Sequence, residues 1–533
     1  MANEAAGETI ETSVLIVGAG PAGLMLACWL AKLGAPALVI DGKDGPTRES
    51  RALIVQARSL EVYDQLGVGS EVAARGRPVD GISMWRGRER IAHLELGPMG
   101  LGKTPHPRMF GLEQSQNEEL LYERLRELGG DVRWRTTLER LEQDAAGVTA
   151  ALRLPDGSPG AVRAAYVCGA DGSHSLVRRQ LGVAFEGSTN SQRFYVADVI
   201  ADGALDEGRL NTKLTGETFL LAFPIKGADR FRLIGIMDGA PEGEEQPGFD
   251  SLRSVIEGEM GLAVHEVRWF ATYKVNHRVA ARFRQGRAFL LGDAAHVHSP
   301  VGGQGMNTGL LDAHNLAWKL AAVTDGRAEP RLLDSYEQER RPFAQALVRS
   351  TDRAFGVMTN PSALWRRLRG WLLPKVMGAA ASRAAGAGEE IGFAPKALFD
   401  LVSQTKVSYR DSPLSRGARP HPGKVGGGDR LPYVPSASGS NFDALADAAP
   451  QIHVYGNPAP ELERWADAAG LPVRTFAFDE AAAGAGLERD AAYLIRPDGY
   501  VSVAQARFNA HELAGALHIG WGWRQPEGQP ARD

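Results

Sequence analysis

Residues 14–17 form an unbroken apolar quartet, Val-Leu-Ile-Val, followed by a glycine-rich stretch over 18–23 and a longer apolar run over 24–33 that stops at Gly34. A second quartet, Ala-Leu-Val-Ile over 37–40, closes on Asp41. Short apolar runs bounded by turn residues read as strands buried on both faces, and the longer run between them as a helix. The chain therefore opens as a βαβ unit on a parallel sheet. A helical pattern over 118–128, a strand over 131–135, alternation over 148–154 with the turn Pro155-Asp156-Gly157, and the strand Tyr166-Val167-Cys168 extend that sheet.

From about residue 185 to 273 the pattern changes to short β runs, among them 219–223 and 231–236, separated by turns such as the Gly-, Pro- and Glu-rich 238–246. This predicts an antiparallel sheet inserted into the first domain. The first style returns at 288–291, a strand feeding a glycine-rich loop and a helix over 305–322. Residues 377–392 are Ala/Gly-rich and read as a linker or a mobile helix. Beyond them 452–455, 461–469, 473–478, 493–495, 501–503 and 510–517 alternate strand and helix, as a small α/β domain. The resulting division gives 1–182 and 279–395 to the first domain, the second part including a helical linker, 183–278 to the inserted sheet, and 396–533 to the C-terminal domain.

The 533 residues match about three domains, and a net charge of −4 removes the basic excess that a general nucleic-acid binder needs. No basic leader and no long uncharged apolar stretch is present, so the expectation is a cytoplasmic protein without a membrane partner. Cys28 and Cys168 are the only cysteines, which excludes a disulfide scaffold, a Cys-held iron–sulfur cluster and a Cys-rich zinc site. Redox chemistry then needs a bound cofactor.

Gly18-Ala19-Gly20-Pro21-Ala22-Gly23 is a G-x-G-x-x-G turn between strand and helix, with Asp41 at the end of the next strand. Glycines there let backbone approach a diphosphate on the positive end of the helix, and the carboxylate accepts from ribose hydroxyls while repelling a 2′-phosphate. FAD or NAD fits this first site better than NADPH. A second segment runs from the strand over 287–291 through Gly292-Asp293 and His296-Val297-His298-Ser299-Pro300 to Gly302-Gly303-Gln304-Gly305-Met306-Asn307. A third is Cys168-Gly169-Ala170-Asp171-Gly172-Ser173-His174-Ser175-Leu176-Val177-Arg178.

Together, in their order along the chain, the three segments resemble the FAD-dependent aromatic hydroxylases, single-component flavoprotein monooxygenases with a para-hydroxybenzoate hydroxylase-like fold, over roughly the first 350 residues. The resemblance implies an α/β protein: a Rossmann-like FAD-binding domain, an inserted antiparallel β-sheet substrate domain, and a C-terminal thioredoxin-like domain as in the larger phenol and polyketide hydroxylases. It implies that Gly18, Gly20, Pro21, Ala22, Gly23 and Asp41 hold the adenosine diphosphate end of FAD and that Arg51 lies near the pyrophosphate. Gln114, or its neighbour Gln116, would contact the flavin, and Asp171 would serve the region shared by flavin and NAD(P)H. Gly292 and Asp293 would hold the ribityl chain. Pro300, Gly303, Gly305, Met306 and Asn307 would lie beside the isoalloxazine, although Met306 also suits the core. A helix N-terminus behind glycine N–H groups independently suits the negative charge of reduced flavin.

The implied reaction is hydroxylation of a phenol or fused-ring polyketide through a flavin hydroperoxide, consuming O2 and NADH or NADPH. Phe219, Phe223, Phe231 and Tyr273 are aromatic residues of the inserted sheet available to line the cavity or to fill a core. No catalytic base stands out. His296 and His298, two residues apart, invite a metal site, but without a carboxylate or Cys cluster hydrogen-bonding roles fit them better. Arg496-Pro497-Asp498-Gly499-Tyr500-Val501 is the local match to the thioredoxin-like domain, which lacks Cys-x-x-Cys and is expected to be scaffolding or a homodimer contact. Two other readings remain open at this point. A flavin halogenase would carry W-x-W-x-I-P within the flavin module, whereas Trp521-Gly522-Trp523 lies at the far C-terminus; a non-catalytic flavoprotein would bind an aromatic ligand without turning it over.

Overall fold

The computed structural model describes residues 9–48, 52–86, 88–203, 205–213, 220–227, 229–237, 248–299, 303–359, 393–416 and 424–524. Arg51, Pro300, Phe219 and the segments 238–246 and 377–392 discussed above lie outside the described residues.

The opening βαβ unit forms where the apolar runs place it. Strand Ile10–Val17 pairs in parallel with Ala37–Ile40 on one side and with Pro159–Gly169 on the other, and the latter pairs in parallel with Ala288–Leu290. Val14, Leu15 and Ile16 have no exposed surface, as strands covered on both faces require. Helix Pro21–Lys32 packs on the sheet and against the long helix Gly305–Thr324, whose residues from Asn307 to Ala322 are all buried. A helix enclosed on every side has no polar face to keep in water, which is why its sequence reads apolar with only scattered polar residues.

A second eight-stranded sheet is dominated by two strands of 19 residues, Phe185–Gly203 and Leu262–Ala280, antiparallel along their whole length. Arg230–Ile236, Leu220–Pro224 and Arg209–Lys213 extend it on one side. The hairpin Gly81–Arg86 and Glu89–Glu95 completes that edge through a parallel pairing with Arg209–Lys213. Sequence order leaves this hairpin in the first segment, because the pairing that recruits it spans more than a hundred residues of chain. On the opposite edge the two-residue strand His296–Val297 pairs with Arg278 and Val279, so the second sheet ends inside the glycine-rich loop.

Alternation divides the second sheet into two faces. Tyr195, Ala197, Leu220, Ala222, Phe231 and Leu233 pack beneath helix Asp250–Met260. Phe223 and Ile225, with Leu221 and Ile234, instead pack against Leu53, Ile54 and Val79 of the first domain. Phe231 is therefore core, Phe223 faces the first domain, and Tyr273 packs on Phe194 with ring centroids 5.9 Å apart.

The C-terminal unit is a four-stranded sheet, Val473–Phe476, Gln451–Tyr455, Ala492–Ile495 and Val501–Gln505, with one parallel and two antiparallel pairings. The chain as a whole is a mixed α/β fold of several sheets.

Candidate active site

Val17 is level with Ile40 and with Gly169, and Gly169 with Leu290, so four neighbouring parallel strands end together. The loops leaving those ends carry the 18–23 turn, Asp41, Asp171 and Gly292-Asp293. A crevice outside the carboxyl ends of parallel strands is where open α/β sheets bind ligands. A groove of about 590 Å3 lined by Ile10, Glu11, Arg133 and Leu154 lies at the other, amino end of the first strand and shares no residue with these loops.

The three glycines of the turn have different reasons to be glycine. Gly18 has φ +104°, and a Cβ there would sit 2.4 Å from the Ala170 carbonyl oxygen. A Cβ on Gly23 would sit 1.9 Å from the Gly18 oxygen. Both are fixed by packing within the protein. Gly20 precedes the helix at φ −81° and ψ −175°, and a Cβ on it would meet nothing within 4 Å. Open space over the one glycine that caps the helix is what a diphosphate cradle requires, so the residues fit the cofactor. Pro21 opens the helix, where its missing N–H costs nothing.

The Asp41 carboxylate accepts from the Ala19 N–H at 2.6 Å and from the Lys43 N–H at 2.8 Å, which pins the turn to the second strand. Gln114 accepts from the Ala52 N–H at 3.3 Å and donates to Glu118 at 2.9 Å, so it lies beside the residue that follows Arg51. Asp171 Oδ2 accepts from the N–H groups of Leu176 and Val177, at 2.7 and 3.1 Å, while its Oδ1 is buried without a partner. Burial raises the Asp171 pKa against those hydrogen bonds.

The second loop meets the first directly. A Cβ on Gly292, at φ +57°, would lie 3.0 Å from the Ala22 Cβ, and one on Gly309 would lie 3.2 Å from it. Three small residues thus seat the Gly292-Asp293 turn on the start of the first helix. Asp293 is exposed between buried neighbours. Gly303 has φ +62° and touches Ile54, and Gly305 begins the long helix.

Two of the implied flavin neighbours are engaged by protein. Asn307 is fully buried: it accepts from the Gln56 N–H and donates to the carbonyls of Ile54 and Gly303, at 2.7–2.8 Å. Its side chain shapes the loop. Met306 Sδ accepts from Asn117 Nδ2 at 3.0 Å. His296 Nε2 is 2.7 Å from Asp312 Oδ2, and His298 Nδ1 is 2.7 Å from the Ser299 carbonyl oxygen. Among the described residues no cluster of three or more His, Cys, Asp and Glu is placed to hold a metal ion. Trp521 of the W-x-W segment is fully buried, 5.5 Å from the Trp318 ring, in the core shared by the C-terminal unit and the long helix.

One constellation has no counterpart in the sequence motifs. Arg232 is fully buried on the face of the second sheet that meets the first domain, bonded to both Asp198 oxygens at 2.6–2.7 Å and to Glu113 at 3.3 Å, next to Gln114. Burial raises the Glu113 pKa despite the adjacent guanidinium. The signal was present: Asp198 and Arg232 are charges at inward-facing positions of otherwise apolar strands, directly opposite each other in register.

This geometry is that of a dinucleotide-binding protein, in which two glycine-rich loops, each leading into a helix N-terminus, meet at the carboxyl ends of the parallel strands. The comparisons agree. A family described as "FAD binding domain" matches residues 11–351. A flavin-dependent monooxygenase of Mycobacteroides abscessus is 32% identical over 92% of this chain and 96% of its own length. The 12-dehydrotetracycline 5-monooxygenase/anhydrotetracycline 6-monooxygenase of Streptomyces rimosus is 33% identical over 92% and 94%. Among solved structures, the flavin-dependent monooxygenase PieE in complex with FAD and substrate superposes with TM-score 0.79 at 25% identity, covering 96% of this chain and 99% of that one. The chain belongs to the family of FAD-dependent aromatic monooxygenases. FAD is its cofactor and NAD(P)H its co-substrate. Among the described residues no helix is long and apolar enough to cross a membrane.

Proposed function

We propose that the chain hydroxylates a phenolic or fused-ring aromatic substrate held between the second sheet and the flavin loop. The net reaction converts substrate C–H, O2, NAD(P)H and a proton to substrate C–OH, water and NAD(P)+. The observation that carries this reading is the strand His296–Val297, which belongs at once to the cofactor loop and to the edge of the second sheet. The tetracycline-type relatives support a fused-ring substrate.

Bound FAD supplies the oxygen activation; the protein's part is to bind, orient and keep water out. In this reading Gly18, Gly20, Pro21, Ala22 and Gly23 cradle the diphosphate, Asp41 the ribose, and Arg51 and Gln114 the middle of the cofactor. Asp171 stands at the same strand ends, on the side shared by flavin and NAD(P)H. Gly292 and Asp293 take the ribityl chain. Gly303, Gly305 and the backbone at Met306 and Asn307 are assigned to the ring, with Pro300 assigned beside them from the resemblance alone; there the first N–H groups of the long helix have no intrahelical acceptor and favour negative charge. Leu53, Ile54 and Phe223 supply the apolar wall that excludes water.

The boundaries 1–182, 183–278, 279–395 and 396–533 remain our division, with the 81–95 hairpin lent to the second sheet. We read the C-terminal unit as thioredoxin-like, without the cysteine pair for redox work, available for a homodimer contact in a cytoplasmic protein. The test is a screen of phenols and polycyclic aromatics for stimulated NAD(P)H oxidation under isotopically heavy O2. The expected result is a product heavier by one labelled oxygen. Purified protein that holds no flavin and oxidises no NAD(P)H with any aromatic refutes the proposal.

A further inference from the structure

The long helix Gly305–Thr324 carries Asp312 in its buried face, and this one carboxylate makes three contacts. Oδ2 accepts from the Gly292 N–H at 3.1 Å and lies 2.7 Å from His296 Nε2, while Oδ1 accepts from Arg340 Nε at 2.7 Å. Asp312 thus grips the Gly292-Asp293 turn and the strand that follows it. Arg340 in turn donates to the Thr308 carbonyl at 3.2 Å and to the Tyr409 hydroxyl at 2.9 Å.

Tyr409 lies in the segment leading into the C-terminal unit and packs against Tyr500, with centroids 4.3 Å apart and the rings tilted by 35°, at the end of the Arg496-Pro497-Asp498-Gly499-Tyr500 turn. That turn points inward. Arg496 donates to both Glu339 oxygens at 2.6 and 2.9 Å and to Asp498 at 2.5 and 2.9 Å. Glu339 also accepts from Asn315 and Lys319 of the long helix, and Asp498 from the Trp318 indole at 3.1 Å. Asp312, Glu339, Arg340, Lys319 and Arg496 are at most 4% exposed as residues.

Buried ions are a costly way to hold two units together, since apolar residues of the same volume commonly do as well or better. What a network of matched charges adds is a single permitted register between the elements it joins. We propose that the C-terminal unit is a built-in part of the cofactor site, acting through Tyr409, Arg340 and Asp312 as positioning residues that fix the Gly292-Asp293 turn. None of the three needs to touch the cofactor. The inference rests on the reading that this turn binds FAD.

The test uses the full-length chain, stripped of flavin and titrated with FAD, and follows the dissociation constant and the visible bands of the bound flavin. Tyr409→Phe removes only the hydroxyl that accepts from Arg340, and Arg340→Lys keeps the charge but shortens the reach. Each is expected to weaken FAD binding about tenfold and to move the flavin bands, and the double variant to fall short of the product of the two effects, as residues in one network do. Tyr455→Phe is the control: its hydroxyl bonds Asn441 at 2.7 Å in the core of the same unit, away from the network. It is expected to lower the melting temperature while leaving FAD affinity within about twofold of wild type.

The inference is overturned if Tyr409→Phe and Arg340→Lys lose thermal stability but bind FAD with unchanged affinity and spectrum. Should Arg340→Lys not fold, Tyr409→Phe decides alone. Failure of the underlying reading looks different: the wild type takes up no FAD, or Asp293→Ala binds it as tightly as wild type.

Discussion

Replacing Gly20 by alanine separates folding from cofactor binding at a single atom. The backbone there is extended, at φ −81° and ψ −175°, and the added Cβ meets nothing within 4 Å, so the flavin-free fold has no reason to object. Removing a glycine's freedom from the unfolded chain should even stabilise the apoprotein by about 0.4–1 kcal/mol. The holoprotein is another matter, because the methyl group occupies space above the helix N-terminus where the diphosphate has to lie. Pushing that group outward forfeits at least one charge-assisted hydrogen bond to a backbone N–H, worth about 1.5–3 kcal/mol. The dissociation constant for FAD should then rise about 10- to 150-fold. Gly23→Ala is the contrasting variant: its Cβ would fall 1.9 Å from the Gly18 oxygen, so it should damage stability and binding together. Thermal melts of the apoproteins and fluorescence titration with FAD distinguish the two. A Gly20→Ala protein that melts like wild type and binds FAD equally well would refute the placement of the diphosphate.

Further predictions concern the interior. Burial lowers the His298 pKa from 6.5 to about 4, with the Ser299 carbonyl opposing and His296 and His277 assisting. The unfolded chain takes up that proton near 6.5 and the folded one does not, so stability present above pH 6.5 is lost as pH falls toward 4, by about 3 kcal/mol. Urea melts at about pH 7.5 and 4.5 should show a smaller acid loss in His298→Asn than in wild type, and an equal loss would refute the assignment. Arg232→Met strands the buried Asp198 and should cost about 3–5 kcal/mol, most of it recovered when Asp198→Leu is added; denaturant unfolding measures both. Cys28 and Cys168 are buried with raised pKa values, so a thiol reagent should modify neither in the native state and both after unfolding.

Local signals account for what the sequence discloses. The βαβ opening is legible because strand, turn, helix, strand and Asp41 follow one another within 41 residues and each obeys its own rule. The sequence alone does not separate Phe231 from Phe223: they lie on different strands, and only the register that sets Phe223 opposite Arg232 puts them on opposite faces of the second sheet. What is not legible depends on partners far apart in sequence. The hairpin over 81–95 joins the second sheet through residues 209–212, and Asp312 acquires meaning only when residues 292, 296 and 340 surround it. Asn307 reads as a ligand contact by motif, yet its side chain ties the glycine-rich loop, at the Gly303 carbonyl, to the Ile54–Gln56 segment, partners that lie some 250 residues away in sequence.

The two 19-residue strands of the second sheet have a consequence for traffic through the enzyme. Fully extended they make a ribbon about 60 Å long. One end is stitched to the segment beside the flavin loop, and the other reaches the far rim of the sheet. Such a ribbon cannot swing open like a hinged cover without tearing its own hydrogen bonds. If the substrate lies against this sheet, as proposed above, its path in and out has to pass the rim of the ribbon rather than through it.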